Sequence, residues 1–584
     1  MNTSNKLYKI VSLFFLFVIG ALIFLGAVLK TVMENRHLPK LVIAEKNRAI
    51  RGSIISSDGY QVVYSNKLYK VAVNTRCIDP NKKALFIKLF SIYSGIPQWK
   101  IKKALRKKGY TVLSYKIDTK TAYQLKILGR KLYQMDMFVP YKVGNRVIKQ
   151  GLTILESGES RSYPYKDILT PIIGYVRKYE EDRYTKIAGV KGIEKYYERK
   201  IRPKQDGIIK GKRDIGNNII LNKEALIKRR YDGYNVHLNV NMLLQKNIEN
   251  ILDIHKKDLG AKEILAAVME SGTGKIIAIA TSNRFDPKNI TKKDYSALNA
   301  KFIEYEYEPG SVMKPITFAL LLEHRLVSPL EVVRGYNGRY KLGKKIITDE
   351  HKAAWMSAEN VIVHSSNIGI AQLAQRLPAD IFWKGLRKFG FGQKTGIDLP
   401  YEHKGSIVPM IKLRSEIYKA TTGYGYGMRA TFMQLLNAYD VFNNEGIRPT
   451  PRIGSFLSNE SGKKIPLPLP VMKPVLSLKT ATTMKKILQK VVEKGTGTVA
   501  KIEGLQIGGK TGTAHIVRKG RYVHIYNSSF FGFANDEKSR YTIGVTVIEP
   551  KRLHFASQTA VPVFRDIVLE LVNEGYLVPQ RNEE

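Results

Sequence analysis

Cysteine is nearly absent from this sequence: Cys77 is the only one in 584 residues, so no intrachain disulfide can form. A chain of this length does not need such staples, so the absence leaves the compartment open. No grouping of histidine, cysteine and carboxylate has metal-ligand spacing and no nucleotide loop is recognisable, so no metal or other cofactor is expected. Residues 60–225 contain no internal repeat. Acidic residues are scarce, 50 against 96 lysines and arginines, for a formal charge of +46. Such an excess fits nucleic acid, an anionic membrane surface or an acidic polymer, and the choice must come from elsewhere.

What is present narrows it. The length points to two or three domains, and the 44% hydrophobic and 25% charged shares are those of globular protein. From Ile10 to Leu29, IVSLFFLFVIGALIFLGAVL is an apolar run without a single charge. As a helix it is roughly 30 Å long, enough to cross a bilayer. It exceeds a signal-peptide core and no small-x-small cleavage site follows, so a retained anchor is expected. Lys6 and Lys9 precede it, Lys30 and Arg36 follow it, and the balance leans to an N-terminus inside. Everything after the span is then outside the cytoplasm, which removes nucleic acid as a partner. Lysine runs such as KIKKALRKKGY read as solvated helix faces, with attraction to anionic envelope polymers as the functional alternative.

Along the chain, residues 31–50 read as a polar connector. RGSIISSDGYQVVYS, from Arg51, reads as a hairpin about Asp58-Gly59. YKVAVNT and YTVLSYKI are strand-like among basic helical stretches, and GIIKGKRDIGNNIILN (207–222) reads as strands and turns. A second domain opens near 234 with the strand YNVHLNVN and the helix MLLQKNIENILDIHKK. EILAAVMESGTGKIIAIATS (263–282) is two apolar strands about Gly272-Thr273-Gly274. Helical text dominates from 311 to about 445. Strands return at GLQIGGKTGTAHIV, NSSFFGFAND and YTIGVTVIEP, and AVPVFRDIVLELVNEG (560–575) is a last helix. Strands at both ends with helices between predict an α+β domain on an antiparallel sheet.

The chemistry-bearing residues begin in EYEYEPGSVMKPITFALLLEHRL (304–326). Ser311 and Lys314 are i and i+3 at a helix start, on one face and about 5–6 Å apart. Free N–H groups at that terminus can stabilise an oxyanion. A lysine deprotonates a serine only when neutral, which asks for a fall of roughly three pKa units through burial or a neighbouring cation. Alone, Ser-x-x-Lys is weak; Ser461 to Lys464 repeats it in a polar turn. Ser365-Ser366-Asn367 is the only Ser-x-Asn, and by itself it reads equally as a helix cap. Lys-Thr-Gly occurs at 394–396, in a glycine-rich loop that reads as structural, and at 510–512. In the second copy strand alternation puts Thr511 and Thr513 on one face, and Gly512 leaves room for another backbone.

Order and spacing carry more than any one motif. Ser-x-x-Lys opens at Ser311, Ser-x-Asn follows at Ser365 after a short gap, and Lys-Thr-Gly comes at Lys510 after a much longer one. This is the trio of penicillin-binding proteins and serine β-lactamases. The chain resembles a class B penicillin-binding protein, a membrane-anchored peptidoglycan D,D-transpeptidase. RGSIISSDG, SRSYPYKDILTPIIGYV, GVKGIEKYYE, AAVMESGTGKIIAIATS and GYGMRATFMQLLNAY follow the family's order from 51 to about 550.

The resemblance implies a cytoplasmic tail (1–9), an anchor (10–30), a pedestal (31–230), a transpeptidase domain (234–576) and a C-terminal tail (577–584). It implies Ser311 as nucleophile, Lys314 as base, and Ser365 as a proton relay to the leaving D-alanine. Asn367 would hold Lys314 and the substrate. Lys510 would keep Lys314 neutral and, with Thr511, Gly512 and Thr513, bind the substrate carboxylate. The N–H groups of Ser311 and Thr513 would form the oxyanion hole. Stem peptides, β-lactams, a polytopic glycan polymerase and other division proteins are the implied partners.

Three departures are visible: Ser-Ser-Asn rather than Ser-Asp-Asn, Phe432 where the family usually has proline, and Ser57-Asp58-Gly59 after the opening motif. A bifunctional class A enzyme would need Glu-Asp-x-x-Phe-x-x-His; EEDRYTKIAG has Thr185 and Ala188 at the last two positions. A β-lactamase would need Glu-x-x-x-Asn, but Ser406 follows Glu402. The non-enzymatic alternative, an anchored scaffold, would not need all three motifs. The short hairpin HIVRKGRYVHIYNSSFFGF favours a division-type over an elongation-type enzyme.

Overall fold

In the computed structural model, residues 3–33, 41–143, 146–181, 184–214, 219–518 and 520–580 are described. Arg36, residues 215–218 of the 207–222 stretch, Lys519 of the short hairpin and the last residues of the C-terminal tail lie outside them. The described chain divides into two compact units, residues 1–48 with 206–230, and residues 49–205 with 231–584.

The first unit begins with helix α1, Thr3–Met33. Its segment Lys6–Met33 is long and apolar enough to cross a membrane, and none of it is covered by protein. This fits a single-pass anchor. The unit also holds a three-stranded antiparallel sheet of β1 (Val42–Asn47), β2 (Gly207–Lys212) and β3 (Leu226–Lys228), with β2 in the middle. The expected connector at 31–50 is therefore partly a strand. Its partner β2 lies far along the chain, beyond the whole hairpin and helix region that follows Arg51, and nothing local announces the pairing.

The second unit contains two large sheets, with several two-stranded ones beside them. In the larger, Ile54–Ile55 pairs with the long strand Gln61–Asn74 across the Asp58-Gly59 turn, as the hairpin pattern predicts. Asn235–Leu238 runs parallel to Ile54–Ile55 and antiparallel to Gly454–Ser458, so this sheet joins early and late sequence. Arg51 is buried behind it. It reaches Glu194 at 2.6 Å and Glu198 at 2.7 Å, while Arg161 reaches Glu194 at 2.6 Å. Burial opposes ionisation of Glu194, but the charges of Arg161 and Arg51 outweigh it and hold the carboxyl below its usual range. A separate apolar core (Val71, Phe86, Phe90, Leu125, Phe138) supports the basic helices, so their lysines lie on the solvent side.

The second sheet has five antiparallel strands. In spatial order they are β5 (Ile276–Thr281), β4 (Glu263–Glu270), β8 (Arg540–Ile548), β7 (Arg521–Asn535) and β6 (Gln506–Arg518). Helix α2, Met242–Leu259, starts at Asn241, whose side chain accepts from Leu244 N, and ends at Gly260 in the left-handed region. It lays Leu244, Ile248 and Leu252 against one face of the sheet, beside Phe564 and Ile567 of the final helix Ala560–Asn573. Each such side chain contributes about 1.5–3 kcal/mol on burial. The other face receives the helical region, so the domain is an α+β fold on an antiparallel sheet with flanking helices. The stretch expected as helical from 311 to 445 also contains four short strands between Val332 and Ser357, a small hairpin and, flanking it in sequence, a second antiparallel pair, both outside the main sheet.

Candidate active site

Pro309 and Gly310 lead into a single 3₁₀ turn, Gly310–Met313, that carries Ser311. Helix α3, Lys314–Glu323, continues it with Pro315 in its first turn, where proline's missing N–H costs nothing. Ser311 therefore stands at a helix N-terminus. The turn is wedged in place: Tyr439 donates its hydroxyl hydrogen to Val312 O at 2.8 Å, and Gly310 N–H donates to Gly425 O at 3.0 Å. Gly425 has φ +90°, and a Cβ there would meet Gly310 O at 2.0 Å, so only glycine fits.

Lys314, the first residue of α3, reaches into protein toward Ser365. It is fully buried and donates to Ser365 O at 2.5 Å and Ser365 Oγ at 3.1 Å. Burial brings its pKa down to about 7, against the opposing pull of Asp349 and Glu350. Of the two causes the sequence left open, burial or a neighbouring cation, burial is the one at work on Lys314. The repulsion between Lys314 and Lys510 is there, but it accompanies a larger burial effect that pushes Lys510 well below the usual lysine range.

The Ser365-Ser366-Asn367 triplet divides its labour. Ser366 is the N-cap of helix α4, Asn367–Ala374, accepting from Gly369 N at 2.8 Å, so the helix-cap reading describes the middle residue. Ser365, just before it, sits at φ +60° with its hydroxyl on Lys314. That is an uncommon conformation for serine, of the kind concentrated at functional sites. Asn367 departs from expectation: its Nδ2 donates to Thr348 O at 2.9 Å, and Lys314 is held by Ser365 instead.

Lys510, Thr511, Gly512 and Thr513 lie on β6, the edge strand, so alternate backbone groups face away from β7. Lys510 is fully buried and donates to Thr511 O and Oγ1, both at 3.1 Å. Thr511 Oγ1 is 2.7 Å from Thr496 Oγ1, and Thr513 Oγ1 accepts from Ala556 N at 3.2 Å. Gly512 does not face the cleft. A Cβ on it would stand 2.8 Å from Val312 Cγ1 and 3.2 Å from Pro309 O, so its bareness lets the strand lie against the serine turn.

These elements enclose one cleft of about 940 Å³, lined among others by Ser311, Ser365, Asn367, Thr511 and Thr513. Lys314 and Lys510 are buried beneath it. The duplicate motifs lie elsewhere. Thr395 N, Thr395 Oγ1 and Gly396 N all donate to the Glu402 carboxylate, which closes the 394–396 loop and gives Glu402 a structural task. Ser461 is in an exposed turn on Asn459.

Two residues at the site had no motif to announce them. Asp349 accepts from Ser366 Oγ, from Asn367 N at 2.6 Å and from Ile368 N at 3.0 Å, so it fixes the triplet from behind. Thr496 lines the cleft opposite Thr511. Among the described residues no cluster of histidine, cysteine and carboxylates could hold a metal ion.

Comparison with known proteins accords with this geometry. Residues 264–569 match the penicillin binding protein transpeptidase domain, and residues 46–238 match the penicillin-binding protein dimerisation domain. Penicillin-binding protein PbpB of Mycobacterium tuberculosis is 31% identical over 365 residues, 60% of this chain and 53% of that protein. Peptidoglycan D,D-transpeptidase FtsI of Buchnera aphidicola is 25% identical over 543 residues, covering 91% of this chain and 88% of that protein. The chain spans about half the length of the mycobacterial relatives it matches. Among solved structures, penicillin binding protein 2X from Streptococcus thermophilus has a TM-score of 0.76 at 21% identity, over 91% of this chain and 81% of that one. Penicillin binding protein 3 from Mycobacterium tuberculosis, solved also with ampicillin, has a TM-score of 0.66 in its apo form at 23% identity, over 92% and 98%. At these identities the structural likeness speaks for the fold. The transpeptidase match alone covers more than half of the sequence, and with the dimerisation domain ahead of it the chain belongs to the class B penicillin-binding proteins.

Proposed function

We propose that this chain is a peptidoglycan D,D-transpeptidase that works through a serine acyl-enzyme. The observation that carries the reading is Lys314: fully buried, brought down to about 7, and hydrogen-bonded to Ser365 under a cleft that Ser311 and Ser365 line. In its neutral form Lys314 takes the Ser311 hydroxyl proton as Oγ attacks the carbonyl carbon between the two terminal D-alanines of a stem peptide. The oxyanion forms against the N–H groups of Ser311 and Thr513. As the C–N bond breaks, the proton passes from Lys314 through Ser365 to the departing D-alanine amine. The amine of a second stem peptide then attacks the ester, restores Ser311 and closes the crosslink. Lys510, Thr511 and Thr513 receive the substrate carboxylate, Asn367 faces the substrate backbone, and Gly512 seats the strand. A β-lactam enters the same cycle and stays as an acyl adduct.

The reading assigns residues 10–30 as anchor, 31–230 as pedestal and 234–576 as transpeptidase domain. The N-terminus lies in the cytoplasm and the cleft outside, with no cofactor. Arg518 pairs with Arg521, so the β6–β7 hairpin is short, which favours septal synthesis beside a glycan polymerase. Mid-cell localisation of a tagged chain tests that role; uniform lateral localisation would return the elongation-type reading. For the chemistry, intact-mass measurement after penicillin exposure should show one adduct on Ser311, absent in Ser311→Ala. A Ser311→Ala protein that still crosslinks glycan would overturn the assignment.

A further inference from the structure

The three-stranded sheet of the first unit has a sided charge pattern. Register sets Lys46 opposite Ile208 and Ile208 opposite Lys228, Ala44 opposite Lys210 and Lys210 opposite Leu226, and Val42 opposite Lys212. Cross-strand partners share a face, so Lys46, Lys210, Lys212 and Lys228 stand together on one side, with Val42 and Leu226 among them. All four lysines are exposed, as are Leu226 (59%) and Val42 (45%). Within the three strands this face holds no carboxylate; Glu224, from the turn before β3, pairs with Lys212 at 2.8 Å. The opposite face carries Ile43, Glu45, Ile209 and Ile227 and has no lysine.

Position supplies the partner. Helix α1 ends at Met33 and β1 begins at Val42, and so short a segment reaches at most about 30 Å when fully extended. The sheet is thereby confined to the neighbourhood of the bilayer that α1 is suited to cross. A surface of lysine ammonium groups with intervening apolar side chains matches an anionic headgroup layer, with the lysines at the phosphates and Val42 and Leu226 toward the interface.

We propose that the lysine face of the β1–β2–β3 sheet docks on anionic phospholipid headgroups beside the anchor. This contact would set the height and orientation of the unit above the membrane. It is independent of the acyl-transfer reading, because no residue of the cleft takes part.

The test uses the full chain in lipid nanodiscs, with an environment-sensitive fluorophore on Leu226→Cys or, on the other face, Ile227→Cys. Cys77 is buried and the unsubstituted chain reports any labelling of it; Cys77→Ala is the second background. Discs of phosphatidylcholine alone are compared with discs in which phosphatidylglycerol replaces a large minority of it. The anionic discs should raise quenching of the residue-226 fluorophore by headgroup-labelled lipid at least twofold. The residue-227 fluorophore should change by much less. Raising salt, or introducing Lys210→Glu with Lys228→Glu, should abolish the increase while penicillin acylation stays unchanged, which also shows that the variant is folded. Equal quenching in both lipids, equal response at both positions, or no loss in the double variant would overturn the proposal. So would protection of the residue-226 fluorophore by soluble polyglutamate in phosphatidylcholine discs as strong as that by phosphatidylglycerol, since the face would then bind polyanions in general.

Discussion

If Lys314 must be neutral to take the Ser311 proton, acylation by a penicillin should rise with pH through the titration of that lysine. With its pKa brought down to about 7, roughly one tenth of the molecules carry the neutral amine at pH 6 and nine tenths at pH 8. The second-order acylation rate should therefore climb about tenfold across that interval and flatten above it. An unshifted lysine would leave about one molecule in 2,500 competent at neutral pH, and its limb would lie near 10. The assay is stopped-flow acylation by a chromogenic cephalosporin or fluorescent penicillin from pH 5.5 to 9.5 at constant ionic strength. A flat profile between 6 and 8, or a limb near 10, would refute the reasoning. Lys510→Arg places a permanent positive charge at the neighbouring position, which disfavours protonated Lys314, so the rising limb should persist and lie no higher in pH.

The same shift has a sign for stability. In the unfolded chain Lys314 keeps its proton up to about 10.4, whereas in the fold it loses it near 7. Between these values the unfolded state binds more protons, so this group's contribution to stability improves as pH rises through the window. Below 7 the full cost of burying the ammonium is present, roughly 5 kcal/mol for a shift of this size. Lys314→Met, similar in length and uncharged, should raise the melting temperature of the transpeptidase unit at pH 6 and much less at pH 10, while eliminating acylation. Equal effects at both pH values would place the cost somewhere other than the charge.

Four further outcomes are expected. Asp349→Asn removes a negative charge that favours protonated Lys314, so the acylation limb should move to lower pH, and loosening of the 365–367 triplet should lower the plateau. Gly512→Ala forces a methyl onto Val312 and Pro309 O; it should cost about 1–3 kcal/mol in thermal unfolding and slow acylation with the pH limb unmoved. Arg51→Met leaves Glu194 buried with one fewer partner, and melting should show about 3–5 kcal/mol lost in the region around residue 51. Lys394→Ala should acylate at the wild-type rate while Lys510→Ala should not, measured on the same penicillin.

The contrast between the two Lys-Thr-Gly copies shows what the sequence made legible. Identical triplets were separable because their flanks differ: glycine-rich text around 394, strand alternation around 510. In the fold the first is closed by Glu402 and the second lies on an edge strand beside the turn that carries Ser311. Local patterns of this kind also delivered the 263–281 hairpin, the helix start at Ser311 and the long apolar N-terminal helix. What escaped depends on distant partners. Strand β1 exists because β2, which begins only at Gly207, pairs with it, and residues 42–47 carry no strand signature strong enough to stand alone.

Asp349 escaped for a related reason. An aspartate in a polar stretch reads as a solvated turn until a fold brings the N-terminus of α4 onto it; then two N–H groups and a hydroxyl converge on one carboxylate. Burial was one of two causes open for the Lys314 shift, and only the fold decides between them, because sequence spacing can suggest which cation stands nearby but not how completely an amine is enclosed. Asp349 and Glu350 oppose the effect of burial on Lys314, so the fold must enclose the amine fully for burial to prevail. A variant that admits water beneath Ser311 should consequently raise the acylation limb toward the alkaline side even with every motif residue intact. Retention of the limb near 7 in such a variant would mean that charge placement, and not enclosure, holds the amine neutral.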